Sequence, residues 1–249
     1  MKPAPLLRAA AAFLALGVVP GLAGDVEQPV GVVELFTSQG CSSCPPADEV
    51  LAELARSGEV VALGYHVDYW DYLGWKDTLG RPENTARQHD YGKSFGSRSV
   101  YTPQAVINGR RHVNGAKRQA VQAALAEMRT SGAGLTVDID IQRSGDSILI
   151  DAHGAPDGRG SAHLVLVYFD PTRPIVIERG ENKGRTIRYA NPVTGLQTVG
   201  MWHGRPVRFE FPQSEVAKKG GCAVLLQSVS KDGLPGPILG AALIRRPKR

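Results

Sequence analysis

Two cysteines three positions apart, Cys41-Ser42-Ser43-Cys44, lie between an apolar run and a stretch of helical spacing, and few folds place them there. Residues 30–36, Val-Gly-Val-Val-Glu-Leu-Phe, read as a short buried strand. Beyond the cysteines, Val50, Leu51 and Leu54 recur at helical spacing, Asp48 and Glu49 sit in the first turn, and Gly58 is a stop signal. Residues 60–67 form a second apolar run, and a helical crossover between two such strands requires parallel pairing. Two intervening residues at a helix start bring the sulfurs into bonding range, and the helix N-terminus favours a thiolate at Cys41. Pro45 and Pro46 work against this. Neither carries an N–H and each biases its predecessor away from helix, so the regular helix is expected near Pro46, with Cys41 further from the dipole.

Three chemistries fit such a pair. Thiol–disulfide exchange uses an exposed Cys41 and a resolving Cys44. An inert disulfide would only staple the fold. Half a zinc site would need a second close pair of ligands, and none is spaced to match. Cys44 is followed by Pro rather than His, which disfavours covalent haem. His66, His89 and His112 are the histidines that a Cu(I) site with the thiolates would draw on, but they are far apart in sequence. Exchange leads, and no cofactor or metal is assigned. Glu34, alone in an apolar strand, is the candidate proton acceptor for Cys44, the plainer alternative being a solvated edge position.

The next stretch, residues 68–98, is longer than a minimal connection and carries Tyr69-Trp70-Asp71-Tyr72-Leu73-Gly74-Trp75. Trp70 and Trp75 are candidate walls of a groove for an extended peptide, against the alternative of a local core that anchors the insertion. Residues 82–95 read as a helix entered through Pro82, and residues 100–109 as a Pro-led strand ending in the hairpin signal Asn108-Gly109. Residues 110–114 return, and residues 117–130 read as a helix with Val121, Leu125 and Met128 on one face.

After residue 134 the character changes. Runs at 135–141, 147–152, 162–169, 174–178, 206–211, 222–229 and 238–244 alternate or are β-branched, with no convincing helix among them. This predicts an antiparallel sandwich-like domain over 135–249. Its charged segment Glu178-Arg179-Gly180-Glu181-Asn182-Lys183-Gly184 either binds a ligand, packs against the first domain or is a solvated loop.

Residues 1–23 read as an export signal: Lys2 and Arg8 precede an apolar stretch too short to span a bilayer, and Gly21-Leu22-Ala23 is a small-x-small cleavage site. Cleavage near Ala23 predicts a periplasmic or secreted protein. An oxidising compartment lets cysteines pair, and Cys222 is the odd one of three. Without the leader, 27 basic residues stand against 24 acidic ones, +3, scattered apart from the tail at 245–249, which gives no footprint for nucleic acid.

The order strand, Cys41-x-x-Cys44, helix, strand, Thr102-Pro103, hairpin, helix resembles the thioredoxin fold over residues 29–132. More narrowly, Glu34-Leu-Phe-Thr-Ser-Gln-Gly-Cys41-Ser-Ser-Cys44-Pro-Pro-Ala-Asp48, the Tyr69 to Trp75 run, Arg87-Gln88, Tyr101-Thr102-Pro103-Gln104 and the 178–184 segment resemble an exported thioredoxin-like family catalogued as domain of unknown function 1223. The resemblance implies an α/β chain: a thioredoxin-like domain with an insertion, followed by an all-β sandwich-like domain. It also implies a cis peptide before Pro103, with the Thr102 backbone beside the cysteines and free to pair with substrate. The expectation is a thiol–disulfide oxidoreductase acting on exported protein or peptide thiols, with a membrane-bound electron donor or acceptor as a further partner. The rival is a non-catalytic exported binding module with a structural disulfide.

Overall fold

The computed structural model describes residues 28–217 and 220–244; the leader expected at 1–23 and the basic tail at 245–249 lie outside the described residues. The chain is mixed α/β with more strand than helix, in several sheets. It opens with β1 (Gly31–Thr37), α1 (Pro45–Ser57) and β2 (Val60–His66), and β1 pairs with β2 in parallel. Every residue of both strands is buried, which is why they read as continuous apolar runs rather than alternating ones. α1 starts at Pro45, one residue earlier than expected: a proline at the first helical position loses only an N–H that would have had no partner. It ends at Gly58, which takes the left-handed conformation that closes a helix.

A short 3₁₀ turn, Asp71–Leu73, sits in the insertion and leads to α2 (Pro82–Ser94). Then β3 (Gln104–Ile107), β4 (Arg111–Asn114) and α3 (Arg118–Thr130) complete a four-stranded sheet in the order β2-β1-β3-β4. Asn108 and Gly109 both have positive φ, 48° and 63°, as a two-residue hairpin turn needs. The Thr102–Pro103 peptide is cis.

The remaining strands are β5 (Ile139–Ser144), β6 (Ser147–Ala152), β7 (Ala162–Phe169), β8 (Arg173–Val176), β9 (Thr186–Tyr189), β10 (Val193–Trp202), β11 (Val207–Pro212), β12 (Gly221–Val229) and β13 (Pro235–Ile244), with a one-turn α4 (Gln213–Ala217). They form antiparallel sheets β10-β7-β12-β13 and β11-β6-β5, and a separate β8-β9 ribbon. Two strands, β9 and β10, were not expected. Register shifts at Val193/Gly195 and Thr198/Gly200 break the alternation of β10, and Gly200 leaves the space that the Phe209 ring fills. β9 buries only Ile187 and Tyr189.

These pieces stack in layers. Val33, Leu35, Ala62 and Ile107 of the first sheet pack on Ala47 and Leu51 of α1 and on Val121 and Leu125 of α3. On the opposite face, Val32, Phe36, Leu63 and Val106 share one core with Val165, Val167, Leu225 and Ala241 of β7, β12 and β13. The far side of that second sheet packs on Ile139, Ile148 and Ile150 of β5 and β6, and Cys222 is buried there as a free thiol pushed up to about 12 by burial. Side chains from before and after residue 134 therefore close one core.

Glu34 lies at this junction. Its carboxylate is fully buried and accepts a hydrogen bond from Arg87 Nε at 2.8 Å and another from the Tyr91 hydroxyl, both on α2. Arg87 also donates to Gln227 Oε1 at 2.9 Å on β12. A buried pair of this kind adds little net stability, but leaving one partner alone is costly. Replacing Glu34 with Gln removes the counter-charge of a guanidinium that keeps its bonds to Tyr91 and Gln227, so E34Q is expected to lose about 3 kcal/mol of unfolding free energy. Urea denaturation measures this, and an unchanged midpoint would show that Arg87 finds water instead.

Candidate functional site

Cys41 and Cys44 are joined by a disulfide, with their Cα atoms 5.4 Å apart at the entrance to α1. Tight turns shape the approach: the Cys41 N–H donates to the Ser38 carbonyl, and the Cys44 N–H to the Cys41 carbonyl, both at 3.2 Å. Cys44 is the N-cap residue, and its carbonyl accepts the Ala47 and Asp48 N–H groups. Cys41 Sγ lies 3.4 Å from the Ser43 hydroxyl. Neither cysteine is open to solvent; Cys41 is 1% exposed.

The expected role of Glu34 does not fit this geometry. Strand side chains alternate between faces, and β1 turns Leu35 toward α1 and Glu34 away from it, toward α2 and β12. A buried carboxylate on the α1 side of β1 is Asp48, one helical turn after Cys44 in sequence. Thr37 Oγ1 donates to Asp48 Oδ1 at 2.8 Å, while Oδ2 is buried with no partner. Burial pushes the Asp48 carboxyl up to about 7, only partly offset by His66 and Thr37.

A second carboxylate, Asp77, organises the insertion. Its Oδ2 accepts the Gln39 N–H and pairs with His66 Nδ1, each at 2.8 Å, and its Oδ1 accepts the Leu79 N–H at 2.8 Å. Burial works against the charge on Asp77, but His66 and these N–H groups hold its carboxyl below the usual range. Burial likewise disfavours a charged His66, yet Asp77 outweighs it and the imidazole is raised. The Tyr189 ring stands edge-on to His66, with centroids 4.6 Å apart.

The insertion tryptophans flank the segment that leads into Cys41. Trp70 Nε1 donates to Thr102 Oγ1 at 2.8 Å and its backbone lies against Gly40; Trp75 Nε1 donates to Gln39 Oε1 at 2.8 Å. Both are partly buried, and Trp75 packs on Leu79, Ile177 and Tyr189, so it serves the local core as well. Tyr72 between them is 78% exposed. Pro103 leads into β3, and its carbonyl accepts the Gly115 N–H.

The turn between β8 and β9 reaches the cysteines from the other half of the chain. Asn182 Nδ2 donates to the Gln39 and Cys41 carbonyls, both at 2.9 Å, and Glu181 Oε2 accepts the Ser42 N–H at 3.3 Å. Of the alternatives for this charged segment, packing onto the first sheet's elements describes it. Among the described residues no cluster of three or more His, Cys, Asp and Glu side chains could hold a metal ion. His89 is exposed and His112 is bonded to Tyr101, both apart from His66.

The raised carboxyl of Asp48 sets a sign for pH. The unfolded Asp ionises near 3.8 while the folded one keeps its proton to about 7, so this group's contribution to stability falls as pH rises between those values. Asp48→Asn removes it. The stability of D48N relative to the parent is expected to grow by up to ~1.4 kcal/mol per pH unit from pH 4 to 7 and to level off above. Urea midpoints across that range measure this, and a parallel pair of pH curves would place the proton elsewhere.

The profile of one family, described as protein of unknown function (DUF1223), matches residues 32–227. Comparison with curated proteins returns no match. A protein of Agrobacterium tumefaciens, known from a crystal structure, is 44% identical, with a TM-score of 0.80 over 90% of this chain and 99% of its own. HBP35 of Porphyromonas gingivalis is similar in fold, with a TM-score of 0.58 and 12% identity over 89% of this chain and 76% of its own.

Proposed function

Because the chain belongs to the DUF1223 family, whose membership carries no reaction, its activity has to be read from the site, and we propose that it is an exported, thioredoxin-like thiol–disulfide oxidoreductase acting on protein or peptide thiols through Cys41 and Cys44. The observation that carries this reading is the position of Asp48. A buried carboxyl with a pKa of about 7 sits one helical turn beyond Cys44, with one oxygen unpartnered.

In the oxidising direction a substrate thiolate attacks Cys41 Sγ. A substrate–Cys41 disulfide forms, the Cys41–Cys44 bond breaks, and Cys44 leaves with the electron pair as a thiolate that takes a proton from Asp48. A second substrate thiolate then attacks the substrate sulfur and expels Cys41. The substrate dithiol loses two electrons and the protein disulfide gains them. In the reverse direction ionised Asp48 accepts the Cys44 proton as Cys44 resolves the mixed disulfide. A group half-protonated near neutral pH serves both directions. Thr102 and Pro103, with Trp70 and Trp75 at the approach, are the substrate-binding residues in this reading, and no cofactor is assigned.

The burial of both cysteines favours one rival, a disulfide that staples a non-catalytic binding module. The reduction potential separates the two. Equilibration of the mature protein with glutathione buffers, read by trapping thiols for mass spectrometry, is expected to give about −120 to −200 mV. A value below about −300 mV supports the staple, whose reduction would cost about 2 kcal/mol for so short a loop. Cys41→Ala is expected to abolish exchange with a dithiol peptide, and Asp48→Asn to slow it at least tenfold at pH 7. Full exchange by C41A would end the proposal.

A further inference from the structure

We propose that the turn at residues 180–184 is a redox-linked cap, in which Asn182 and Glu181 hold the disulfide state closed and let go when Cys41 is reduced. The inference rests on the reading of Cys41–Cys44 as an exchange site and concerns its regulation. Four observations carry it. Asn182 is 1% exposed and its single Nδ2 bridges the Gln39 and Cys41 carbonyls, the residues on either side of Gly40. Glu181 takes the N–H of Ser42, an amide directly beside Cys41. The turn is firm in itself, with Lys183 N–H on the Gly180 carbonyl and Arg185 N–H on that of Asn182, and Ile177 at its base is fully buried. Finally, Asn182 Oδ1 is buried without a partner, so the closed arrangement holds at a cost.

Reduction changes what the cap faces. Two thiols of a reductant supply two electrons and leave as its disulfide, the Cys41–Cys44 bond breaks, Cys44 takes up a proton, and Cys41 is left as a thiolate next to the Ser42 N–H. The thiolate competes with the Glu181 carboxylate for that donor and repels it. The cap therefore binds the disulfide form better than the dithiol form, and by linkage it lowers the tendency of the pair to be reduced. It also explains why an exchange cysteine is closed to solvent: Cys41 is reached after the turn moves, so the turn sets which thiols gain access.

Two variants of the full mature protein separate the contributions. Asn182→Ala removes the bridge, and Glu181→Gln keeps an oxygen for Ser42 N–H but removes the charge. In glutathione buffers, where two glutathione thiols reduce the protein disulfide and leave as glutathione disulfide, each is expected to shift the equilibrium at least threefold toward the dithiol, or ~14 mV. Hydrogen exchange of the wild-type amides at 178–185 is expected to accelerate at least threefold on reduction by dithiothreitol. Equilibria unchanged in both variants, or loop amides that exchange equally in both redox states, overturn the cap. If the wild-type pair shows no exchange with peptides while the loop still loosens on forced reduction and both variants still shift, the catalytic reading fails and the cap stands.

Discussion

The carboxylate of Asp77 is the fixed point on which the arrangement around the cysteines depends. One side chain holds the end of β2 through His66, the turn before Cys41 through the Gln39 N–H, and the return of the insertion through the Leu79 N–H. Burying a carboxylate is costly, and several donors that arrive in direction offset that cost. Here the donors come from three separate stretches of chain, so the position of Gln39 is determined jointly by β2 and the insertion. Gln39 in turn presents its carbonyl to Asn182 and its amide oxygen to Trp75. The cysteines thus sit in a frame supplied by parts of the chain that are distant in sequence.

Asp48 and Asp77 belong to one buried group with His66, yet they differ in state. Asp77 has three donors and stays ionised; Asp48 has one hydroxyl and an unpartnered oxygen, and its proton is retained to about 7. Hydrogen-bond supply, rather than burial alone, separates a structural carboxylate from one able to exchange protons near neutrality. The Glu34–Arg87–Tyr91–Gln227 network on the other face of β1 is a third arrangement, in which a fixed cation neutralises the carboxylate.

Much of the first sheet was legible in sequence. β1, α1 and β2 have unbroken apolar runs, a helix period and a glycine stop; the Asn108-Gly109 turn states its own conformation. What escaped depends on long-range contacts. For Glu34 the sequence left a buried acceptor and a solvated edge position both open, and its face was not readable, because residues 38–40 form an irregular turn and parity cannot be counted through it from Cys41 back to β1. Asp48 looks like an ordinary first-turn acid, normally solvated; its burial comes from packing that one-dimensional spacing does not record. Asn182 carried a signal only as part of a polar, glycine-flanked run. β10 was hidden by two register shifts and by two glycines, of which Gly200 answers to the Phe209 ring packed against it rather than to the strand itself.

The shared face of the first sheet has a consequence for how the chain is made. Val32, Phe36, Leu63 and Val106 are covered by β7, β12 and β13, and the hairpin turn at Asn108 is stitched to Ile238 by a 2.8 Å backbone hydrogen bond. During synthesis the N-terminal half emerges with this apolar face bare and waits for nearly the whole remaining chain before it can be closed. Contacts of such long sequence separation form late, and exposed apolar sheet is what aggregates in the interval. The cysteines, by contrast, meet across a single turn and need nothing downstream to pair. The C-terminal strands therefore supply the cover that the N-terminal sheet cannot provide for its own apolar face.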